Sequence, residues 1–462
     1  MSYNTTAPSN QLKRGLKVNV AFIISIGIPT MLGCIDVMAL GLALPSIMKE
    51  FSSNIISAQW IFTAYMLGNI SFLILIGDLI GKLTPKKLLV TGLIIFITAS
   101  ILCGSPYDIF IILIIGRFFQ GIGVAIILTT SISLINLLYF GYQRQVMTSL
   151  WSFFVGVGIA LGPMIGAIIL MLSSWRILFF INIPLIMCIL PIIKKYIPDG
   201  TDTLRQRIFV KKHMFYILIL SALTLLFSGT LHTTSSILLS ILLLLLIILT
   251  KGGRELTCIL RSASRKFIVA CYAGFISYSM LYSFLFITTI HLQKTFNLPL
   301  LKIAIYYLAY SVPFSISSLI LGRINCFKSN INFLIFGLSL SSISFLMFSF
   351  SSFFGSLLLL IPVFFILGVS IAVLNISSLK EAFDNNSSQE IGATSSIVYT
   401  FRWMGGIIGI TITAVIYHYL SVAAGNHHLL YNPLLLICLI YTIIGGGSIF
   451  SILKVCRNDA VT

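Results

Sequence analysis

Apolar runs of about 20 residues, broken by short polar stretches, repeat along the chain from Val20 to Leu453. At about 1.5 Å per helical residue such a run crosses the ~30 Å hydrocarbon core of a bilayer. The pattern predicts an all-α integral membrane protein with about fourteen spans, over 20–46, 57–80, 87–105, 109–138, 145–172, 176–194, 214–231, 235–250, 267–290, 302–322, 331–350, 355–378, 393–420 and 431–453. The pair 214–231 and 235–250 is short and separated by few polar residues, so twelve spans plus a re-entrant hairpin is the alternative. The first run is longer than a signal-peptide core, and no small-residue cleavage pattern precedes the polar stretch after Pro45, so it is expected to stay as the first span.

Composition agrees with the pattern: 58% of residues are hydrophobic, 9% are charged, and the mean hydropathy is +1.07. The net charge of +18 is distributed by topology. With the N-terminus cytoplasmic, 23 of the 29 Lys and Arg fall on inner segments, as the positive-inside rule requires for an even number of spans with both ends inside. Basic residues spread over short loops suit the anionic cytoplasmic leaflet of a cell membrane, and no nucleic-acid partner is implied. Eight cysteines are scattered singly, without C-x-x-C or histidines at ligand spacing. They are expected to be free, packed thiols, with no metal bound.

The segments repeat. Phe118 to Ala125 (F-F-Q-G-I-G-V-A) is echoed by Phe364 to Ala372 (F-F-I-L-G-V-S-I-A), and Thr148-Ser149 by Thr394-Ser395, at an offset of about 246 residues. This implies a cytoplasmic tail (1–19), an N-terminal six-helix bundle (20–194), a linker carrying two additional helices (195–266), a C-terminal six-helix bundle (267–453) and a second cytoplasmic tail (454–462). Transporters built from such repeats hold cargo near the midplane between halves.

Asp36 and Arg117 stand well inside apolar runs, where an ionisable group marks function by default. Counted along antiparallel helices, both lie roughly 13 to 15 Å below the same membrane face, and Arg117 has no basic counterpart in the echoed segment. Desolvation and a neighbouring guanidinium act on a carboxylate in opposite senses, so small changes in hydration or distance move it between charge states. Asp36 is expected to carry a coupling proton or meet a cationic cargo, with Arg117, held by Gln120, biasing release; a permanent pair that only fixes helix register is the alternative. Gly158, Gly162 and Gly166 fall on one face at four-residue spacing and permit close helix approach. Pro163 bends that helix, which suits a rocking surface or seal between halves. Arg402 is expected to snorkel and anchor its span, and His291 and His418 to sit at the interface.

These residues resemble the fourteen-span drug:proton antiporters of the major facilitator superfamily (the EmrB/QacA type). Asp36 followed by Ala43-Leu44-Pro45, Gln59-Trp60 through Leu67, Leu113-x-x-x-Arg117-x-x-Gln120-Gly121-x-Gly123, Gly158-x-x-x-Gly162-Pro163-x-x-Gly166-Ala167, Trp175-Arg176 with Phe179 to Pro184, and Arg402-x-x-Gly405-Gly406-x-x-Gly409 follow the family's motifs in order. The resemblance implies the major facilitator fold, proton coupling at Arg117, an antiporter motif at Gly158, Gly162, Pro163 and Gly166, and a gate loop that includes Gly77, Asp78, Lys82 and Lys86. Gly81 stands where the family has an aspartate in that loop. Asp78, three residues earlier on the same helical face, is either its substitute or a plain helix-end acid.

The implied activity is export of lipophilic or cationic drugs, or similar small molecules, by alternating access, with protons as the second substrate. The proton gradient, and no bound cofactor, supplies the energy. Tyr65, Trp151, Tyr278, Tyr282, Tyr306, Tyr307 and Trp403 offer ring surface for flat or lipophilic cations. A narrow-substrate exporter of a siderophore or other metabolite, or a solute importer, is the alternative. In a two-membrane organism a membrane-fusion adaptor and an outer-membrane channel are conceivable partners. An integral-membrane enzyme is disfavoured. No H-E-x-x-H or phosphate loop lies in the spans, and the acids other than Asp36 are expected nearly all in loops, Glu50 and Glu381 among them.

Overall fold

A computed structural model describes residues 20–79, 83–107, 109–139, 141–198, 264–323, 330–383, 391–423 and 433–459. The expected spans 214–231 and 235–250 lie outside these residues. Twelve long helices carry the described chain. In the first half they are α1 (Val20–Glu50), α2 (Trp60–Leu79), α3 (Pro85–Gly104), α4 (Phe110–Leu138), α5 (Gly141–Leu172) and α6 (Asn182–Tyr196). In the second half they are α7 (Arg265–Lys294), α8 (Leu300–Arg323), α9 (Asn330–Phe354), α10 (Leu360–Phe383), α11 (Ile391–Ala423) and α12 (Pro433–Asp459). Among the described residues, eleven helical segments are long and apolar enough to cross a membrane, and the 20-residue α2 packs among them. The protein is a multi-pass membrane protein.

The helices outrun the apolar segments that foretold them. An apolar run marks what lies in hydrocarbon, whereas a helix continues until its terminal N–H and C=O groups find other partners. Thr84 caps α3, its hydroxyl accepting from the Lys87 N–H with Pro85 in the first turn, and Ser264 caps α7 through the Phe267 N–H. The longer α10 brings a correction. Glu381, expected in a loop, is helical and buried in its last turn. Ile94, Ile111, Met171, Ile305, Phe350 and Ile443 are exposed, as side chains that face lipid must be.

The two halves pair their helices alike. In the first, α1 packs on α5, and α2 and α3 pack on α4; in the second, α7 packs on α11, and α8 and α9 pack on α10. The echoed sequences thus occupy corresponding positions, α4 with α10 and α5 with α11. The halves meet along two seams, α5 with α8 and α2 with α11, supplemented by α1 with α7.

Candidate functional site

Asp36 on α1 and Arg117 on α4 form an ion pair through Arg117 Nη1 and Asp36 Oδ2. Burial is nearly total, with Arg117 0% and Asp36 5% exposed. Taking two charges out of water is costly, and hydrogen bonds to the remaining polar atoms offset much of that cost, with Arg117 Nη2 and Asn182 Oδ1 left without a partner among the described residues. Here Arg117 Nη1 also donates to Gln120 Oε1 at 2.7 Å, and Nε to the Ile61 carbonyl on α2 at 3.2 Å. Gln120 Nε2 donates to Ser100 Oγ on α3 at 2.7 Å and to Asp36 Oδ1 at 3.4 Å. Asn182 on α6 donates to Asp36 Oδ1 at 3.2 Å. The guanidinium lies over the Tyr65 ring, 4.4 Å from its centroid. One buried cluster thereby ties α1, α2, α3, α4 and α6 together. Asn182 stood in the Phe179 to Pro184 motif without a role, and Ser100 was not singled out from the sequence; the signal of each was a polar side chain inside an apolar run.

The glycine face of α5 lies against α1. A Cβ built on Gly158 would stand 2.6 Å from the Met31 carbonyl oxygen, on Gly162 2.5 Å from Met38 Cβ, and on Gly166 2.9 Å from Ala39 Cα. These glycines therefore seat α5 on the stretch of α1 that carries Asp36, within one half of the molecule. The expected seal between halves is made elsewhere on α5, where Gly156 abuts Ser315 of α8. Four-residue spacing identified a smooth face but not the neighbour it serves. Gly162→Val forces α1 and α5 apart because backbone and Cβ atoms cannot yield. We expect a loss of about 1–3 kcal/mol, typical of overpacking, read as a lower midpoint of unfolding in detergent.

Four of the predicted aromatic residues assemble across the α2–α11 seam. Trp403 on α11 meets Tyr65 of the first half at a ring separation of 6.5 Å, and Tyr278 and Tyr282 of α7 at 5.8 and 5.7 Å. Trp151 and Tyr306 lie apart from this cluster. Trp151 donates to Thr30 Oγ1 at 3.0 Å, and the Tyr306 hydroxyl to the Leu357 carbonyl at 3.4 Å. A small cavity of about 20 Å³ between the halves is lined by Val37, Met38 and Gly41 of α1, Phe62 of α2, Tyr282, Leu285 and Phe286 of α7, Tyr307 of α8 and Ile410 of α11. No formal charge lines it, and Tyr282 belongs to both the cavity and the ring cluster.

Arg402 does not snorkel. It is 1% exposed, and its Nη2 donates to the Asn375 carbonyl and to Ser378 Oγ on α10, each at 2.6 Å. Its guanidinium is flanked by the Tyr399 and Tyr278 rings at 5.1 and 5.6 Å. Local partners make burial affordable, so the side chain has no need to reach the interface. His291 is likewise buried, its Nδ1 3.1 Å from Thr295 Oγ1, whereas His418 is half-buried. Of the gate loop, Lys86 Nζ donates to the Lys194 carbonyl at 2.6 Å; Lys82 and the side chain of Asp78 lie outside the described residues. At the far end of α1, Glu50 pairs with Arg176 and accepts from Trp175 Nε1 at 2.6 Å. The described cysteines 34, 103, 188, 271 and 438 are free, and Cys188 is exposed rather than packed.

The described residues thus form two pseudo-repeated helical halves, with a buried charge cluster in the first and a small uncharged cavity between them. The family model of the Major Facilitator Superfamily matches residues 26–410, and the chain belongs to that superfamily. A Methylenomycin A resistance protein of Bacillus subtilis is 30% identical over 169 residues, 36% of each chain. The Riboflavin transporter RibZ of Clostridioides difficile is 32% identical over 166 residues, again 36% of each. A Multidrug resistance protein Stp of Mycobacterium tuberculosis is 23% identical over 44% of this chain and 37% of its own. The aligned stretch spans little more than a third of each relative. A crystal structure of a POT family transporter in complex with a thioalcohol-conjugated peptide superposes with a TM-score of 0.72 over 94% of this chain and 96% of its own, at 13% identity. That similarity concerns the fold.

Proposed function

We propose that this protein is a proton-driven exporter of lipophilic small molecules, cationic drugs among them, of the fourteen-span drug:proton antiporter branch. It works by alternating access with both termini cytoplasmic. The observation that carries this reading is the Asp36–Arg117 pair, buried and bonded to α2, a helix of the seam between halves. A proton taken up by Asp36 removes one of the two charges, and Arg117 must then redistribute its bonds. An intramembrane carboxylate that can change charge beside a moving seam is the physical requirement for coupling a proton to cargo.

In this orientation the Glu50 end of α1 faces outward. There the halves touch through Gln293 Nε2, which donates to the Leu42 carbonyl at 3.3 Å, and through the Phe62 and Phe286 rings at 6.0 Å. Cargo reaching the cavity from the cytoplasm meets apolar walls and the rings of Tyr282 and Tyr307, which suit flat or delocalised cationic molecules. The names of the relatives, covering an antibiotic, a vitamin and drugs, support a small-molecule cargo. In a two-membrane organism, an adaptor and outer-membrane channel would extend the path.

Everted vesicles acidified inside, followed with a pH-sensitive dye, test the proposal with a panel of lipophilic cations, neutral drugs and siderophores. Proton release by one compound class supports it and names the cargo. No release by any compound, from correctly inserted protein, overturns proton-coupled export. Gly41 lines the cavity with nothing within 4 Å of where its Cβ would stand. Gly41→Ala should therefore fold normally yet weaken binding of the largest cargoes severalfold, under ~1.4 kcal/mol. Smaller cargoes should lose less, as equilibrium binding of a size series would reveal.

A further inference from the structure

We propose that Tyr65 is the positioning residue that carries the charge state of Asp36 to the seam between the halves. The inference rests on the proton-coupled reading above and gives Tyr65 a task distinct from holding cargo. Tyr65 lies on α2 and is buried. One ring face receives the Arg117 guanidinium at 4.4 Å. Its hydroxyl donates to the Gly33 carbonyl at 3.4 Å, on α1 three residues before Asp36. Its ring also meets Trp403 of the opposite half at 6.5 Å and 66°. A single side chain thus touches the helix of the carboxylate, its guanidinium partner and the other half.

The contacts dictate which way a disturbance travels. The charged and titratable groups facing Asp36 are Arg117 from α4 and Tyr65 from α2. Gln120 and Asn182 add neutral donors, and Cys103 and Ser100 of α3 stand behind Gln120. When a proton from the aqueous phase binds the Asp36 carboxylate, the pair changes from zero to one net positive charge. Arg117 then retains Gln120 Oε1, the Ile61 carbonyl and the Tyr65 ring as partners. The Phe179 ring lies farther off at 5.9 Å; Ile61 and the nearer ring, Tyr65, belong to α2, so the guanidinium that loses its counter-charge leans on that helix, where the electron-rich ring face attracts it more strongly than before.

The α2 backbone cannot close further on α4, the helix that carries Arg117. At Gly121 it lies so close that even an added Cβ would collide with the Tyr65 carbonyl, and the Ile61 carbonyl is held one turn away. Movement is therefore taken up by the ring and by its neighbour Trp403. Among the described residues, the buried Trp403 indole Nε1 has no hydrogen-bond partner. An indole fixed by ring contacts alone has no polar bond to break when it reorients.

The test uses the full chain in proteoliposomes with tetraphenylphosphonium as cargo, measuring pH-gradient-driven accumulation and gradient-independent exchange in parallel. We expect Tyr65→Leu to keep exchange within about threefold of wild type and to lose at least about tenfold of driven accumulation, an ordinary magnitude for coupling between two sites. Tyr65→Phe retains the ring and should retain both activities. If Tyr65→Leu fails to fold, Trp403→Leu breaks the same contact from the other side and should give the same split. Driven accumulation unchanged in the Leu variant overturns the inference, and so does an equal fall in both activities, which would mark Tyr65 as a cargo or packing residue. Exchange without driven accumulation in the wild type would instead sink the proton-coupled reading itself.

Discussion

Asp36→Asn should reduce proton-driven accumulation to the background of passive leak while cargo exchange continues. Asparagine nearly matches the carboxylate in shape, so the contacts with Gln120 and Asn182 have an amide to meet. What it removes is the charge and the ability to gain or lose a proton. The variant therefore resembles the protonated cluster permanently, and no step of its cycle can take up a proton at this site. Deleting one partner of a buried ion pair costs about 3–5 kcal/mol when the other is left bare. Arg117 is not bare, since Gln120, Ile61 and Tyr65 still engage it, so the stability loss should fall below that range. Vesicle assays of accumulation and exchange, with an unfolding midpoint on the same preparation, separate the two effects. Proton-driven accumulation at the wild-type rate would end any coupling role for Asp36 and leave the pair as a register device.

Arg117→Met should be the more damaging change to the fold. It strands the nearly buried Asp36 carboxylate without its counter-charge, leaves the Ile61 carbonyl without its side-chain donor, and leaves Gln120 Oε1 only the weaker Cys103 thiol as a donor. A loss of about 3–5 kcal/mol is expected, read in detergent unfolding as a large drop in midpoint. The double variant Asp36→Leu with Arg117→Met removes both charges and fills similar volume, so stability should recover to within about 1–2 kcal/mol of wild type. Transport should stay absent. Recovery of stability without transport would show that the pair is kept for the work it does and not for the fold it holds. A double variant no more stable than Arg117→Met alone would instead locate the damage in the neutral amides around the pair.

Much of the charge site was legible because ionisable residues are conspicuous in an apolar chain. Asp36 and Arg117 announced themselves, and counting residues from the segment ends placed them at one depth. The cavity was not legible in this way. Val37, Phe62, Leu285, Phe286 and Ile410 are apolar residues in apolar spans, and nothing in their type separates a wall facing cargo from one facing lipid or another helix. Only the pairing of helices distinguishes them. The glycine face of α5 shows an intermediate case, in which spacing gave the smooth surface and packing supplied α1 as its partner. Arg402 reveals the limit of arguing from depth alone. Its position suggested a reach for the interface, but Ser378 and a carbonyl of α10 were waiting inside, as a linear count could not foretell.

The close crossing of α5 over α1 also constrains how the protein can change over generations. On the α1 side of the cavity, Met38 backs directly onto Gly162, and Val37 adjoins the paired Asp36. A new side chain there disturbs either a backbone crossing or a charge cluster. The opposite wall is formed by Tyr282, Leu285, Phe286, Tyr307 and Ile410; there Tyr282 backs onto Gly406 and Ile410 adjoins Gly409 at the crossing of α11 over α7, which leaves Leu285 and Phe286 the least constrained. Selection for a different cargo therefore has its freest material at Leu285 and Phe286, and altered cargo preference should map there before it reaches Val37 or Met38.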